Sequence, residues 1–533
     1  MIESRGPEYT GPRVPVLWLK LPISAIITIC RKEERMNTIV KTNYGQVEGF
    51  MEGNLIKWFG IPFAKAPVGD LRFKRPVKPE AWDGVLETKA FKPKPIQYMP
   101  EIPGAVPTPY PESEDCLYLN VWAPEDALSG DKKYPVYIYI YGGANSGGEA
   151  SDPQWDGTAM ASEGLVYVTI TYRVGPLGFY PFYLYDKSFD SNCGVADQIE
   201  GVRWVKENIA AFGGDDNNIT IAGESAGGTA VMDLLTAPSA RGLFNKAIVE
   251  SALPDSAAEN ESMAIKNLDL FLDKMGLSKD EVYKIKEMPA EKLKEAAIWV
   301  ATANTRTYPG IFVPGPVIDD LIPEKPWEAM AKGSAKGVDV IFGTNHDEGI
   351  LFTSMKMFPY NWEEIDKMLD DNGYGAKKEA FRAVYNAPVE PAIAADIATD
   401  RGFWVDYVRC ADAQSGHGKV YAYRYDYSYG VYKNMHMGAV HASEIVLGLA
   451  TPIPPMVLMD TPPAEVAAVS KVIHNSFVNF AKTGDPNGSH LPFAWEQYKA
   501  DDRKTFIINT ECSVETNPNS ERFELWKDIQ LFK

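Results

Sequence analysis

Histidine, cysteine and basic residues are all in short supply in this 533-residue chain, and each shortage excludes something. The six histidines form no HExxH-type ligand cluster, so no catalytic metal is expected. The five cysteines (Cys30, Cys116, Cys193, Cys410 and Cys512) are scattered, odd in number and without CxxC spacing. They make neither a zinc site nor a disulfide framework, which points to a reducing, cytoplasmic setting. Lys and Arg total 53 against 72 Asp and Glu, a formal charge of −19. A nucleic-acid surface needs a basic patch, and none is evident, so nucleic acid is excluded as a partner. Long apolar runs are missing too. Val14 to Cys30 is the best candidate, but Pro15, Lys20 and Pro22 interrupt it and no cationic segment leads it. No stable membrane association is expected.

What is present is an alternation of strand-like and helix-like segments with no repeat and no low-complexity linker. Residues 1–35 read as an N-terminal extension outside the fold, and 36–533 as a single α/β domain with a large, mostly parallel, doubly wound sheet. Thr38 to Phe50 reads as a hairpin turning at Asn43-Tyr44-Gly45, and Trp58 to Pro76 as a turn-rich stretch. Strands are expected at Asp115–Val121, Pro135–Tyr141, Leu165–Tyr172, Ala247–Ser251, Val338–Gly343 and the Tyr-rich Val420–Tyr427. Helices are expected over Asp197–Phe212, Tyr360–Tyr385 and Ala464–Thr483, with a charged helical insertion from Glu259 to Ala301 near the active site.

The chemistry begins at Gly223-Glu224-Ser225-Ala226-Gly227. An alternating β-rich run, Asn218 to Ala222, enters this Gly-x-Ser-x-Gly pentapeptide, and a helix-forming run, Thr229 to Leu235, leaves it. A serine on so sharp a strand-to-helix turn has its hydroxyl exposed, with a helix N-terminus beside it to stabilise an oxyanion. A serine nucleophile also needs a base and an orienting acid, which in this kind of turn follow in the order Ser, Asp/Glu, His. Asp347 and Glu348, just after a buried-type strand, compete for the acid, and His346, His436 and His441 for the base.

Several longer blocks resemble the type-B carboxylesterases, the cholinesterase-like branch of the α/β-hydrolases. They are Phe59-Gly60-Ile61-Pro62-Phe63-Ala64 with Leu71-Arg72-Phe73, Ser113-Glu114-Asp115-Cys116-Leu117-Tyr118-Leu119-Asn120-Val121, Phe212-Gly213-Gly214-Asp215 running on to Gly228, and Phe480-Ala481-Lys482-Thr483-Gly484-Asp485-Pro486-Asn487. The matches run in order from about Asn43 to Tyr498. The resemblance implies an α/β-hydrolase fold and hydrolysis of a small-molecule carboxylic ester, of broad or bulky, polar range, through an acyl-enzyme and with no cofactor. It implies Ser225 as nucleophile, Glu348 as acid and His441 as base, with oxyanion-hole N–H groups from Gly143, Ala144 and Ala226. It also implies structural ion pairs between Arg72 and Glu114 and between Arg173 and Asp197. The alternative is a non-catalytic cholinesterase-like binding or adhesion protein, though such proteins typically lose a triad member and this chain keeps all three.

The chain departs from that pattern at three places. The oxyanion loop reads Tyr141-Gly142-Gly143-Ala144-Asn145, where the family commonly has His-Gly-Gly-Gly/Ala and then an aromatic residue. Asn145 is therefore either a turn cap or a hydrogen-bond donor to a polar substrate group. Lys94-Pro95-Ile96-Gln97 lacks the family's disulfide partner for Cys116, so that thiol is expected to be free. Glu101 to Glu112 holds no tryptophan of the choline-binding kind, which argues against acetylcholine. Phe352 and Tyr429 are further candidates for substrate contact, against the plainer reading of each as a packed core or strand residue.

Overall fold

Among the described residues the chain forms fourteen strands. They are β1 Ile39–Lys41, β2 Gln46–Glu48, β3 Phe50–Glu52, β4 Leu55–Pro62, β5 Val85–Glu87, β6 Tyr118–Pro124, β7 Tyr134–Ile140, β8 Val166–Ile170, β9 Gly214–Glu224, β10 Lys246–Glu250, β11 Asp339–Asn345, β12 Val420–Tyr425, β13 Thr505–Ile508 and β14 Ser513–Glu515. The structure is a computed structural model that describes residues 37–99, 108–130, 132–253, 261–307 and 314–531. The expected extension over 1–35 lies outside the described residues.

β1, β2 and β5 form a small sheet, in which β1 and β2 make the expected hairpin. The other eleven strands form one sheet in the order β14-β13-β12-β11-β10-β9-β7-β8-β6-β4-β3. Every pairing from β13 across to β8 is parallel, and the pairings at both flanks are antiparallel. The central strands are apolar and β-branched or aromatic because both faces are covered: β8 (VYVTI), β10 (KAIVE) and β12 (VYAYRY) are buried at every position. Helices Cys193–Asn208, Ala226–Thr236 and Pro463–Thr483 pack on this sheet. The last of them ends at Gly484, whose φ of 76° suits the left-handed residue that stops a helix.

Two stretches depart from the sequence reading. Trp58–Pro62, expected as turns, belongs to β4, and β4 is buried along almost its whole length. The turn-like composition reflects a register shift between Trp58 and Ile61, where Gly60 takes φ +75°. Residues 390–414, given no element from the sequence, form helix Glu390–Thr399, a π-helical turn Asp400–Trp404 and helix Val405–Gln414. The insertion 261–307 contributes helices Glu261–Met275 and Ala290–Thr307 and no strand. Among the described residues no helix is long and apolar enough to cross a membrane.

Four of the parallel strands deliver the site. β7 runs out into the Gly142-Gly143 loop, β9 into Ser225, β11 into Glu348, and the segment after β12 carries His441. Ligand sites in such sheets lie outside the carboxyl ends of the strands, where these segments meet.

Candidate active site

Ser225 stands at the break between β9 and helix Ala226–Thr236 with φ 60° and ψ −125°, a conformation L-residues rarely adopt. The backbone is held there from two sides. The Ser225 N–H donates to the Glu250 carbonyl on β10 at 3.0 Å. A Cβ on Gly227 would come within 2.0 Å of the Ile140 carbonyl, and one on Gly223 within 2.5 Å of the Gly227 carbonyl. Only hydrogen fits at both positions, so the turn and its close packing require the two glycines of the pentapeptide.

His441 Nε2 lies 2.9 Å from Ser225 Oγ, and His441 Nδ1 lies 2.5 Å from Glu348 Oε2. The other Glu348 oxygen accepts the Asn345 N–H at 2.7 Å and the Thr344 hydroxyl at 3.0 Å. Glu348 is fully buried and His441 is 8% exposed. Of the residues competing for the base, His346 bonds to its neighbour Asp347 instead, at 3.0 Å, and that bond raises its pKa. His436 is exposed on the surface. Asp347 has a different task. It exchanges backbone and side-chain hydrogen bonds with Ala439 (3.0 and 2.9 Å), tying the acid's segment to the loop that carries His441.

The loop after β7 lies directly against the elbow, the sharp turn at Ser225 from β9 into helix Ala226–Thr236. A Cβ on Gly142 would stand 3.0 Å from Ser225 Cβ, so the backbone of this loop is beside the serine. Gly143, Ala144 and Asn145 all have positive φ (+115°, +51° and +52°). Asparagine tolerates that region better than most residues, which gives a backbone reason for Asn145. Its buried side-chain amide donates to the Pro314 carbonyl at 3.2 Å, and its own carbonyl accepts the Gly175 N–H at 2.5 Å. The amide N–H thus braces the loop, which corrects the expectation of a donor directed at substrate. Tyr429 needs a correction as well. It is 1% exposed, stacks on Tyr427 and donates its hydroxyl to the Ser443 carbonyl at 3.0 Å, so it supports the His441 loop from behind. Phe352 is different. Its ring lies 5.0 Å from the His441 ring, in a buried apolar cluster with Leu253, Phe358 and Phe403, and Ala144 packs against the same cluster.

Several residues at the site carry no signal that the sequence reading used. Phe403, in the π-helical turn, lies 5.0 Å from the His441 ring, where such turns often sit at functional sites. Glu224 Oε1 approaches His441 Nε2 to 3.2 Å and makes no hydrogen bond among the described residues. Glu444 is fully buried, taking the Asn345 amide at 2.5 Å and the Ser251 hydroxyl at 3.3 Å. Burial pushes the Glu224 carboxyl well above its ordinary range and Glu444 up to about 7. For His441, burial opposes the charged ring, but the Glu224 and Glu348 carboxylates outweigh it and raise the pKa to about 9. Glu224 was within reach of the sequence, being part of the pentapeptide, but nothing in the motif says that its side chain turns towards the histidine.

The ion pairs are structural. Arg173 and Asp197 are buried together with contacts of 2.8 and 2.7 Å, and Arg72 meets Glu114 at 2.7 Å while also donating to the carbonyls of Ile285, Lys286 and Met288. Cys116 is a free, buried thiol.

Residues 36–526 match the model of the carboxylesterase family. The chain belongs to that family. The esterase is 35% identical over 490 residues to the para-nitrobenzyl esterase of Bacillus subtilis, covering 91% of this chain and 97% of the relative. It is 31% identical to the phenmedipham hydrolase of Pseudarthrobacter oxydans, covering 89% and 95%. A solved PNB esterase superposes with a TM-score of 0.80 at 34% identity over 92% of this chain and 99% of the other. A carboxylesterase from Geobacillus stearothermophilus gives 0.80 at 35% identity over 92% and 100%. The fold is therefore that of the α/β-hydrolases, and the protein is a serine carboxylesterase that hydrolyses carboxylic esters. The non-catalytic alternative finds no support in these relatives.

Proposed function

We propose that Ser225, His441 and Glu348 are the catalytic triad and that Gly143, Ala144 and Ala226 supply the oxyanion-hole N–H groups. The observation that carries this reading is the unbroken chain from Glu348 through His441 to Ser225, with links of 2.5 and 2.9 Å. Ser225 Oγ attacks the ester carbonyl carbon while its proton passes to His441 Nε2. The carbonyl electron pair moves onto oxygen, where the backbone N–H groups receive it, each worth about 10²–10³ in rate. Glu348 fixes the ring with its proton on Nδ1 and stabilises the imidazolium. Collapse breaks the ester C–O bond, and the leaving alkoxide takes the Nε2 proton. Water then repeats the sequence on the acyl-enzyme and releases the acid.

The buried rings of Phe352 and Phe403 beside His441 favour an ester with an apolar or aromatic portion on that side, with Phe352 as its contact. The relative that hydrolyses phenmedipham and the para-nitrobenzyl esterases agree with that preference by their names alone. The test is turnover of p-nitrophenyl esters of increasing acyl length by wild type and Ser225→Ala. The variant should keep its fold and lose both turnover and labelling by an organophosphonate. Hydrolysis surviving in Ser225→Ala would mean that another nucleophile does the work.

A further inference from the structure

The loop that faces Ser225 is under backbone strain. Gly143, Ala144 and Asn145 are consecutive residues at positive φ, and two of them carry a Cβ. Such a run persists only where its surroundings over-determine it. The loop closes on itself through the N–H groups of Ser146 and Gly147, which both donate to the Gly143 carbonyl at 2.9 and 3.0 Å. Its entry is fixed by the elbow, and Asn145 is held by Gly175 and Pro314. What holds its exit is residues 97–98.

We propose that Gln97 is a positioning residue for ester hydrolysis, acting through the oxyanion loop. Its carboxamide pairs with Gly148 as one peptide group pairs with another: Oε1 accepts the Gly148 N–H at 2.7 Å, and Nε2 donates to the Gly148 carbonyl at 3.0 Å. The adjacent Tyr98 N–H donates to the Ser146 carbonyl at 2.6 Å, so two successive residues clamp 146–148. The clamp is itself anchored. Gln97 Nε2 also donates to the Pro95 carbonyl at 2.6 Å, and the Gln97 N–H donates to Glu112, which accepts Lys294. On the far side, Lys94 reaches Glu149 at 3.2 Å. The fit is close, since a Cβ on Gly147 would stand 3.0 Å from Gln97 Oε1. Glutamate could not donate to Gly148, and alanine could neither donate nor accept.

The inference rests on the oxyanion role proposed for Gly143 and Ala144. Without Gln97 the exit of the loop relaxes, and the N–H groups lose their aim at the carbonyl oxygen. Misplacement of about 1 Å costs roughly 10²-fold, and the loss should fall on the transition state alone. The experiment compares Gln97→Ala, Gln97→Glu and the near-isosteric Gln97→Met with wild type on p-nitrophenyl acetate. It also measures affinity for an alkyl trifluoromethyl ketone, whose serine adduct carries an oxyanion, and for the matching methyl ketone. A further variant with lactic acid in place of Ala144 removes only that N–H. All three Gln97 variants should lose about 10–10²-fold in kcat with KM little changed. Trifluoromethyl ketone affinity should fall in parallel, and methyl ketone affinity should hold. Should the Ala144 replacement weaken trifluoromethyl ketone binding while folded Gln97→Met keeps wild-type kcat and affinity, the positioning role is overturned and the oxyanion hole stands. If the Ala144 replacement itself leaves that affinity unchanged, the oxyanion assignment falls and the inference with it. A general loss of packing would instead raise KM and lower methyl ketone affinity and thermal stability together, which would also overturn it.

Discussion

Replacing Glu348 with glutamine should silence His441 without disturbing its position. Two donors, the Asn345 N–H and the Thr344 hydroxyl, converge on Glu348 Oε1 at 2.7 and 3.0 Å. A glutamine there would keep its oxygen against those donors, because its NH₂ group could accept neither. The NH₂ group would then occupy the place of Oε2, 2.5 Å from Nδ1 in the wild type, and would donate to the ring. Nδ1 could accept that bond only when unprotonated, so the ring proton would shift to Nε2. That nitrogen, 2.9 Å from Ser225 Oγ, would become a donor to the hydroxyl whose proton it should remove. A wrong tautomer with the geometry intact costs about 10⁴ in kcat. At 1.36 kcal/mol per tenfold, this is roughly 5.4 kcal/mol of lost transition-state stabilisation. The assay is kcat and KM on a p-nitrophenyl ester, with thermal unfolding of both proteins as the check on the fold. Glu348→Asp keeps the charge and the acceptor at shorter reach and should fall between wild type and Glu348→Gln. A folded Glu348→Gln enzyme within tenfold of wild type would refute the reasoning, and Glu224 or Glu444 would then have to orient the ring.

Glu224→Gln should move the acid limb of the kcat/KM–pH profile. His441 must be neutral to act as base, and its pKa is raised to about 9 with Glu224 among the causes. Activity in the wild type therefore rises with pH above the usual imidazole range, and removing the carboxylate should shift that limb to lower pH; a shift the other way, or none, would show that Glu224 carries no charge in the working enzyme. Arg173→Met should destabilise the fold by about 3–5 kcal/mol, since Asp197 is left buried and unpaired. Chemical denaturation measures it, and a loss below about 1 kcal/mol would mean that Asp197 takes up a proton or finds another partner.

The parts of the site that were legible in the sequence are those whose chemistry is local. Gly223 and Gly227 flank Ser225 because a carbonyl lies where either Cβ would go, and that constraint is written into five consecutive residues. Glu348 is legible to within one residue because it follows a strand that can only be buried. His441 is not legible from its surroundings, since its loop is fixed by Asp347 and Tyr429 through tertiary hydrogen bonds, and only the family resemblance separates it from His346 and His436. Asn145 and Tyr429 each admit two readings in sequence, a substrate contact or a packed residue, because nothing local shows that both side chains donate to backbone carbonyls in the interior. The helix through Phe403 is not legible because its inward face continues through a π-helical turn, which breaks the spacing that marks a helix in sequence.

The interior around His441 holds more acid than one imidazole needs, and hydrogen bonding is what sorts it. Glu224, Glu348 and Glu444 are all buried, and any two full negative charges there would repel strongly in so poorly solvated a space. Glu348 has two donors on one oxygen and the His441 ring on the other, so every feature of its surroundings answers to a carboxylate. Glu224 is closer to Ser225 in the chain and reaches Nε2 to 3.2 Å, yet among the described residues no donor satisfies Oε1, and burial pushes its pKa up. Proximity to Ser225 in the chain therefore does not decide which acid bonds to Nδ1 of the ring. Glu444, up at about 7 and bonded to the side chain of the same Asn345 whose N–H serves Glu348, links the two. A proton gained on Glu444 or Glu224 removes a negative charge near His441 and lowers the pKa of the ring. The acid limb of Glu224→Gln should accordingly shift further in the double variant with Glu444→Gln than in either single one. Equal shifts in Glu224→Gln and the double variant would mean that Glu444 adds no negative charge near the ring.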